Sequence, residues 1–138
     1  AIIRSAAAAG ANGIILPKDR SAPVSATVYK VSAGTVAAID FCQVSNLSAA
    51  LNLLQDNGIW IFGLEGSAED TIFDLDLRVP LCLVIGSEGK GIRPLVRRSC
   101  DVLAAIPLAA KVESLNASAA AAVALFEVVR QRQLQVPS

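Results

Sequence analysis

The chain predicts a three-layer α/β domain with a mainly parallel sheet, and three observations lead there. Apolar runs of strand length alternate with stretches of helical spacing, the pattern of strand-helix-strand units. Most of these runs stop at glycine, asparagine or proline, where a chain can reverse. With 138 residues there is enough chain for one hydrophobic core and not for two, so 1–138 is expected to form one domain.

Ile2 to Ala11 has helical character and is stopped by Gly10, Asn12 and Gly13, and Ile14 to Leu16 is a short strand closed by Pro17. Lys18 to Ala22 is a polar loop, and Pro23 to Ala33 predicts a second helix halted by Gly34. Ile39 to Val44 predicts the second strand. Asn46 or Ser48 caps the next helix, which runs to Asp56 with Leu47, Leu51 and Leu54 on one face and ends at Asn57-Gly58. Ile59 to Leu64 (IWIFGL) is the third strand, and Glu65-Gly66 turns the chain at its C-terminal end. Open α/β sheets bind ligands at that end, so Gly63 and Leu64 either line a cofactor pocket or simply terminate the strand. Glu69 to Asp76 is an acidic connection with room for one helical turn. Leu81 to Ile85 and Val102 to Ile106 are further strands, Ile92 to Cys100 a short helix with Pro94 in its first turn, and Asn116 to Arg132 the final helix.

Composition excludes several classes of chemistry. The content is 54% apolar with a mean hydropathy of +0.55, yet charges interrupt every long apolar run before the roughly 20 residues a bilayer span needs. Much of the excess is alanine, which suits close helix packing or a buried subunit interface. Twelve basic and twelve acidic residues cancel, so any nucleic-acid binding must come from a local patch. There is no histidine, which rules out Ser-His-Asp and Cys-His nucleophile systems and the commonest zinc sites, and no metal site is expected. Cys42, Cys82 and Cys100 are widely spaced, and two of them lie in apolar strands. They are expected to be buried free thiols in a reducing cytoplasm.

The most informative stretch is Pro80 to Pro94, PLCLVIGSEGKGIRP: a buried strand, a loop containing Gly86, Gly89 and Gly91, and a helix start. That corner holds ligands in many α/β sheets. GSEGKG lacks the GK[ST] ending of a phosphate-binding loop and places Glu88 where a phosphate would sit, so an anionic ligand is disfavoured. The loop alone fits a tight turn with solvated charges equally well. A second such corner follows Val102 to Ile106, where the chain reads IPLAAKVESLNAS.

GSEGKG followed about twenty residues later by IPLAAKVESLNAS resembles the second and third signature motifs of the SpoU (TrmH-like) RNA ribose 2′-O-methyltransferases of the SPOUT superfamily. Arg4, in AIIRSAAAAGANGIILP, resembles the arginine of the first motif, whose asparagine six residues earlier would precede residue 1. ILPKDRSAPVSATVYKVSAG is most similar to the branch acting on a guanosine of 23S rRNA, with a transfer RNA target as the alternative. The resemblance implies a deep C-terminal trefoil knot, a homodimer, a catalytic domain without a separate RNA-binding domain, and methyl transfer from S-adenosylmethionine. By the same resemblance, Gly63, Leu64, Gly86, Ile106 and Leu115 are the cofactor-binding positions. Arg4, Glu88, Ser114 and Asn116 are the catalytic ones. Without it, Arg4 is a solvated helix residue and Asn116 a helix cap. Arg93, Arg97 and Arg98 form the most basic cluster, either an RNA contact or a solvated face, and Lys18 and Arg20 carry the same two readings. Two other classes remain open, a nucleotide-binding regulatory module and a catalytically impaired RNA-binding domain.

Overall fold

The computed structural model describes residues 2–18, 27–32, 38–87, 90–109, 112 and 114–133, with the backbone alone at 27–29, 31–32 and 38. The alanine-rich helix α1 (Ile2–Ala8) ends in a glycine cap: Gly10 has φ 81°, and the Ala11 and Gly10 amides donate to the Ala6 and Ala7 carbonyls at 2.9 and 3.1 Å. That cap makes the helix shorter than the predicted 2–11 and turns the chain into β1 (Gly13–Pro17).

Residues 27–32 depart from the expected helix over Pro23 to Ala33. Thr27–Ser32 forms β2, paired antiparallel with β3 (Ala38–Val44) from Thr27 opposite Gln43 to Ser32 opposite Ala38. Its sequence, TVYKVS, is dominated by β-branched and aromatic residues that fit a pleated surface and lose rotamer freedom in a helix. Directly opposite each other, Lys30 and Asp40 form an exposed ion pair at 2.7 Å. The remainder of the expected helix, 23–26 and 33, lies outside the described residues. β1 pairs with β3 in parallel, giving the order β1-β3-β2.

The second sheet carries the site. β4 (Trp60–Leu64) is its central strand, with β5 (Leu81–Val84) and β6 (Val102–Ala104) both parallel to it. The described strands therefore form two three-stranded sheets instead of one continuous sheet, and parallel pairing dominates both the site sheet and the fold.

Side-chain alternation along β4 builds the core on both faces. Ile61 packs with Leu51 of α2 (Leu47–Asp56), Val84, Ile92 and Val96 of α3 (Pro94–Arg98). Phe62, on the opposite face, packs with Ile72, Leu77, Ala104 and with Ala124 and Val128 of α4 (Ala117–Gln133). Helix α2 starts where Asn46 accepts the Ala49 amide at 3.0 Å and stops at Gly58, φ 81°, as its sequence predicts. The acidic connection contains one 3₁₀ turn, Ile72–Asp74. Gln131 of α4 accepts the Leu77 amide at 2.8 Å and donates to the Leu75 carbonyl at 2.9 Å, satisfying backbone groups that no strand pairs. Helix α1 packs on α4 and on β1 and β3, joining the two sheets.

Candidate functional site

Because β4, β5 and β6 run parallel, their C-terminal ends open on one side, and there they surround a cavity of about 470 Å³. That volume lies within the roughly 300–1,000 Å³ of sites that enclose small organic ligands. Four short segments line it: 64–66 after β4, 85–87 with Gly91 after β5, Ile106 and Leu108 after β6, and the start of α4 from Ser114 to Ala120.

The wall after β5 is a loop closed on itself. The Ser87 amide donates to the Gly91 carbonyl at 3.2 Å and the Gly91 amide returns to the Ser87 carbonyl at 2.9 Å. Two glycines make this possible for different reasons. A Cβ on Gly86 would lie 2.5 Å from the Gly91 carbonyl carbon and 2.8 Å from the Ile92 nitrogen, so backbone meets backbone with no room for a side chain. Gly91 has open space around it but takes φ +66°, a conformation other residues enter at a cost.

The wall after β4 carries a charge. The Glu65 amide donates to the Ala104 carbonyl at 2.9 Å, which fixes the residue beside the end of β6. Its side chain is only 18% exposed, and Arg97 Nη2 of α3 lies 2.8 Å from Oε2. The two charges touch without hydrogen-bond alignment, leaving Oε2 buried with no hydrogen-bond donor. Glu65 is the one ionisable side chain among the described lining residues.

The third wall is the start of α4. Asn116 Oδ1 accepts the Ala119 amide at 2.8 Å and its carbonyl accepts the Ala120 amide at 3.0 Å, so Asn116 caps the helix at the edge of the cavity. Ser114 and Leu115 precede it along the same wall.

Six of the nine residues singled out in the sequence therefore line one cavity: Leu64, Gly86, Ile106, Ser114, Leu115 and Asn116. Gly63 faces away from it. A Cβ there would sit 2.8 Å from Cys100 Sγ and 3.0 Å from both Ile92 Cδ1 and Leu103 Cδ2, so this glycine lets α3 and β6 approach the centre of the sheet. Arg4 is exposed on α1 and does not line the cavity. Glu88 and Arg20 lie outside the described residues. Arg93, Arg97 and Arg98 are exposed around α3, with Arg97 engaged by Glu65.

The sequence signal missed Glu65 and its partner. Glu65 directly follows Leu64, so the strand-end rule that selected Leu64 reaches it as well. Nothing in the spacing links it to Arg97.

Cys82 and Cys100 are ill suited to nucleophilic chemistry. Burial, aided by Cys82, Asp101 and Glu65, pushes the Cys100 thiol up to about 11, and burial likewise raises Cys82. Among the described residues no group of three or more His, Cys, Asp or Glu is gathered to hold a metal, and no helix is long and apolar enough to cross a membrane. The cavity offers apolar walls, backbone polar groups, a helix start and one carboxylate. Those features suit a small organic ligand.

The model of the SpoU rRNA Methylase family matches residues 1–126. The chain is 52% identical over 134 residues to the 23S rRNA (guanosine-2′-O-)-methyltransferase RlmB of Xylella fastidiosa, covering 97% of this chain and 54% of that protein. It is 48% identical over 132 residues to the enzyme of the same name from Pseudomonas aeruginosa, covering 96% of this chain and 53% of that protein. The chain thus spans about half the length of the curated relatives it matches. Its structure is similar to that of the SpoU methyltransferase AviRb from Streptomyces viridochromogenes in complex with the cofactor AdoMet. The TM-score is 0.75 at 28% identity, covering 96% of this chain and 55% of that one.

Proposed function

The chain belongs to the SpoU rRNA Methylase family, and from that premise we propose that residues 1–138 are a catalytic domain transferring a methyl group from S-adenosylmethionine to a ribose 2′-hydroxyl of RNA. A guanosine of 23S rRNA is the target to test first, because the relatives that cover nearly all of this chain carry that specificity in their names. The observation that carries the proposal is the meeting at one cavity of six residues singled out in the sequence, five of them from the two motifs and Leu64 from the end of β4.

When bound, S-adenosylmethionine supplies an activated methyl whose bond to sulfur breaks as a bond to the 2′-oxygen forms, leaving a neutral thioether. The chain must then hold donor and acceptor in line and favour loss of the hydroxyl proton. Leu64, Gly86, Ile106 and Leu115 are assigned to holding the donor, since a cavity lined by apolar side chains and backbone polar groups suits an adenine ring and a methionine tail. The Gly86 backbone can come close to a ligand because it carries no side chain. Ser114 and Asn116 are assigned to support of the cofactor or acceptor at the edge of α4, and the Asn116 cap fixes where that edge lies.

Arg4 and Glu88 are assigned to the acceptor by the match to the family's motifs. Arginine keeps its proton at any working pH, so Arg4 is given phosphate contact and orientation of the hydroxyl, not proton removal. Exposed Arg93 and Arg98, flanking the Arg97 that Glu65 engages, are assigned as a local positive patch for RNA phosphate on a chain with no net charge. We further assign the fold a C-terminal trefoil knot and the protein a homodimeric state and a cytoplasmic location. The family resemblance and the alanine-rich α1 and α4 support the first two, and an rRNA target supports the third.

The decisive assay incubates the chain with methyl-labelled S-adenosylmethionine and a 23S rRNA transcript, followed by nuclease digestion and mass spectrometry of the nucleosides. The expected product is 2′-O-methylguanosine. Label appearing only in transfer RNA would move the target to the other branch. Cofactor binding with no transfer to either RNA would overturn the assignment of catalysis to this chain.

A further inference from the structure

We propose that Arg97 is a positioning residue for cofactor binding: its guanidinium holds the Glu65 carboxylate against α3 and out of the cavity, leaving that space to the cofactor. This inference rests on the cofactor assigned above and adds a residue of α3 that does not itself line the cavity.

Glu65 follows Leu64 at the C-terminal end of β4 and belongs to the lining of the cavity. Its Oε2 is nevertheless sealed from that space: the atom is buried, and Arg97 Nη2 lies 2.8 Å from it. Arg97 is the one cation paired with Glu65 among the described residues. No donor is aligned on Oε2, so charge, not a directed hydrogen bond, keeps the oxygen where it is.

Removing one partner of a buried ion pair strands the other charge, which must then reach water or remain at high cost. For Glu65 the adjoining open volume is the cavity of about 470 Å³ that the residue already lines. The backbone is poorly placed to yield. The Glu65 amide is tied to the Ala104 carbonyl at 2.9 Å and the Glu65 carbonyl accepts the Ala68 amide at 3.1 Å, so the side chain is the part that moves. A carboxylate turned into the cavity meets Leu64, Ile106 and Leu115, takes up ligand volume and brings its hydration with it. Arg97 prevents this from outside. Its side chain is half-exposed, so its removal leaves the packing of α3 through Val96 in place.

The test is calorimetric titration with S-adenosylhomocysteine, whose neutral thioether removes any attraction between a freed carboxylate and a sulfonium. RNA is left out, so a phosphate contact by Arg97 has no bearing on the result. Arg97→Met keeps an apolar stem and removes the charge. It is expected to bind at least about fivefold more weakly, a fraction of what a fully buried pair loses because Arg97 is half-exposed. In a Glu65→Gln background, where no charge needs holding, the same substitution is expected to change affinity by less than about twofold. Arg97→Lys is expected to stay within about threefold of the unaltered chain, since the contact relies on charge and not on alignment of the guanidinium. An equal loss in both backgrounds overturns the inference, because packing by Arg97 acts whether or not Glu65 is charged. Undiminished binding by Arg97→Met overturns it too. Should Arg97→Met not fold, folding of Glu65→Gln/Arg97→Met supports the inference and failure of both overturns it. Absence of any binding by the unaltered chain instead overturns the cofactor assignment on which it rests.

Discussion

Gly86→Ala and Gly91→Ala separate two reasons for glycine within one loop. At Gly86 the new methyl would lie 2.5 Å from the carbonyl carbon of Gly91 and 2.8 Å from its Cα and from the Ile92 nitrogen. Ordinary contact begins near 3.4 Å, so the two arms of the loop must part by about an ångström. Both arms are backbone, which cannot rotate aside as a side chain can. The opening breaks the reciprocal Ser87–Gly91 bonds at 3.2 and 2.9 Å, and two net hydrogen bonds are together about 1–3 kcal/mol. Since Gly86, Ser87 and Gly91 form one wall of the cavity, the same movement deforms the ligand site. At Gly91 a methyl meets nothing within 4 Å, and the only cost is the left-handed conformation at φ +66°, about 1–2 kcal/mol. Thermal melts should therefore show comparable losses for the two variants. Calorimetry with S-adenosylmethionine should show at least a tenfold loss of affinity for Gly86→Ala and a much smaller one for Gly91→Ala. Gly86→Ala binding as tightly as the unaltered chain would refute the assignment of that backbone to the cofactor wall.

Three other perturbations test the fold around the site. Gly63→Ala should destabilise by about 1–3 kcal/mol through overpacking against Cys100, Ile92 and Leu103, measured by chemical denaturation, and adding Cys100→Ala should recover part of that loss. Asn116→Ala should cost about 1 kcal/mol of stability as a lost cap, while Asn116→Ser should restore the melting temperature but not methyl transfer if the amide also serves the reaction. Alkaline stability should depend on Cys100: its folded value of about 11 exceeds the ordinary 9.0, so the unfolded chain loses that proton first. The contribution is complete below pH 9.0 and disappears as pH rises through about 11, and Cys100→Ala should flatten that limb of a pH-melting curve.

The site sheet was legible because its elements announce themselves locally. IWIFGL and LCLVI are continuous apolar runs, as strands buried on both faces should be, and Asn46 and Gly58 mark the two ends of α2 by cap chemistry alone. Thr27–Ser32 misled because a polar loop before it and glycine after it suggested helix boundaries, while the feature that decides its state is its pairing with a separate strand, β3. Pairing of that kind is a tertiary effect and leaves only the weak β preference of Thr, Val and Tyr in the sequence. Gly63 shows the same limit in the site. A glycine near a strand end fits ligand approach and helix packing equally well, and only Cys100, far along the chain, decides between them. Motif residues flanking the cavity were visible from the family resemblance, whereas the Glu65–Arg97 contact depends on how α3 leans on the end of β4.

The placement of Arg4 divides the proposed reaction into two experimentally separable halves. Every described residue that lines the cavity comes from 64–120, on or beyond the second sheet, whereas Arg4 lies exposed on α1, which packs against β1, β3 and α4. The described walls that would hold the cofactor do not include it. An exposed helix residue with no role in those walls should change stability by no more than about 0.5 kcal/mol when truncated, and cofactor affinity by about twofold or less. If Arg4 orients the acceptor hydroxyl and its phosphate, Arg4→Ala should nevertheless lower kcat for methyl transfer by two orders of magnitude or more, as loss of positioning does (about 10²-fold). Calorimetry and single-turnover transfer on the same sample distinguish the cases. Loss of cofactor binding would place Arg4 in support of the cavity, and unchanged turnover would remove it from the reaction altogether.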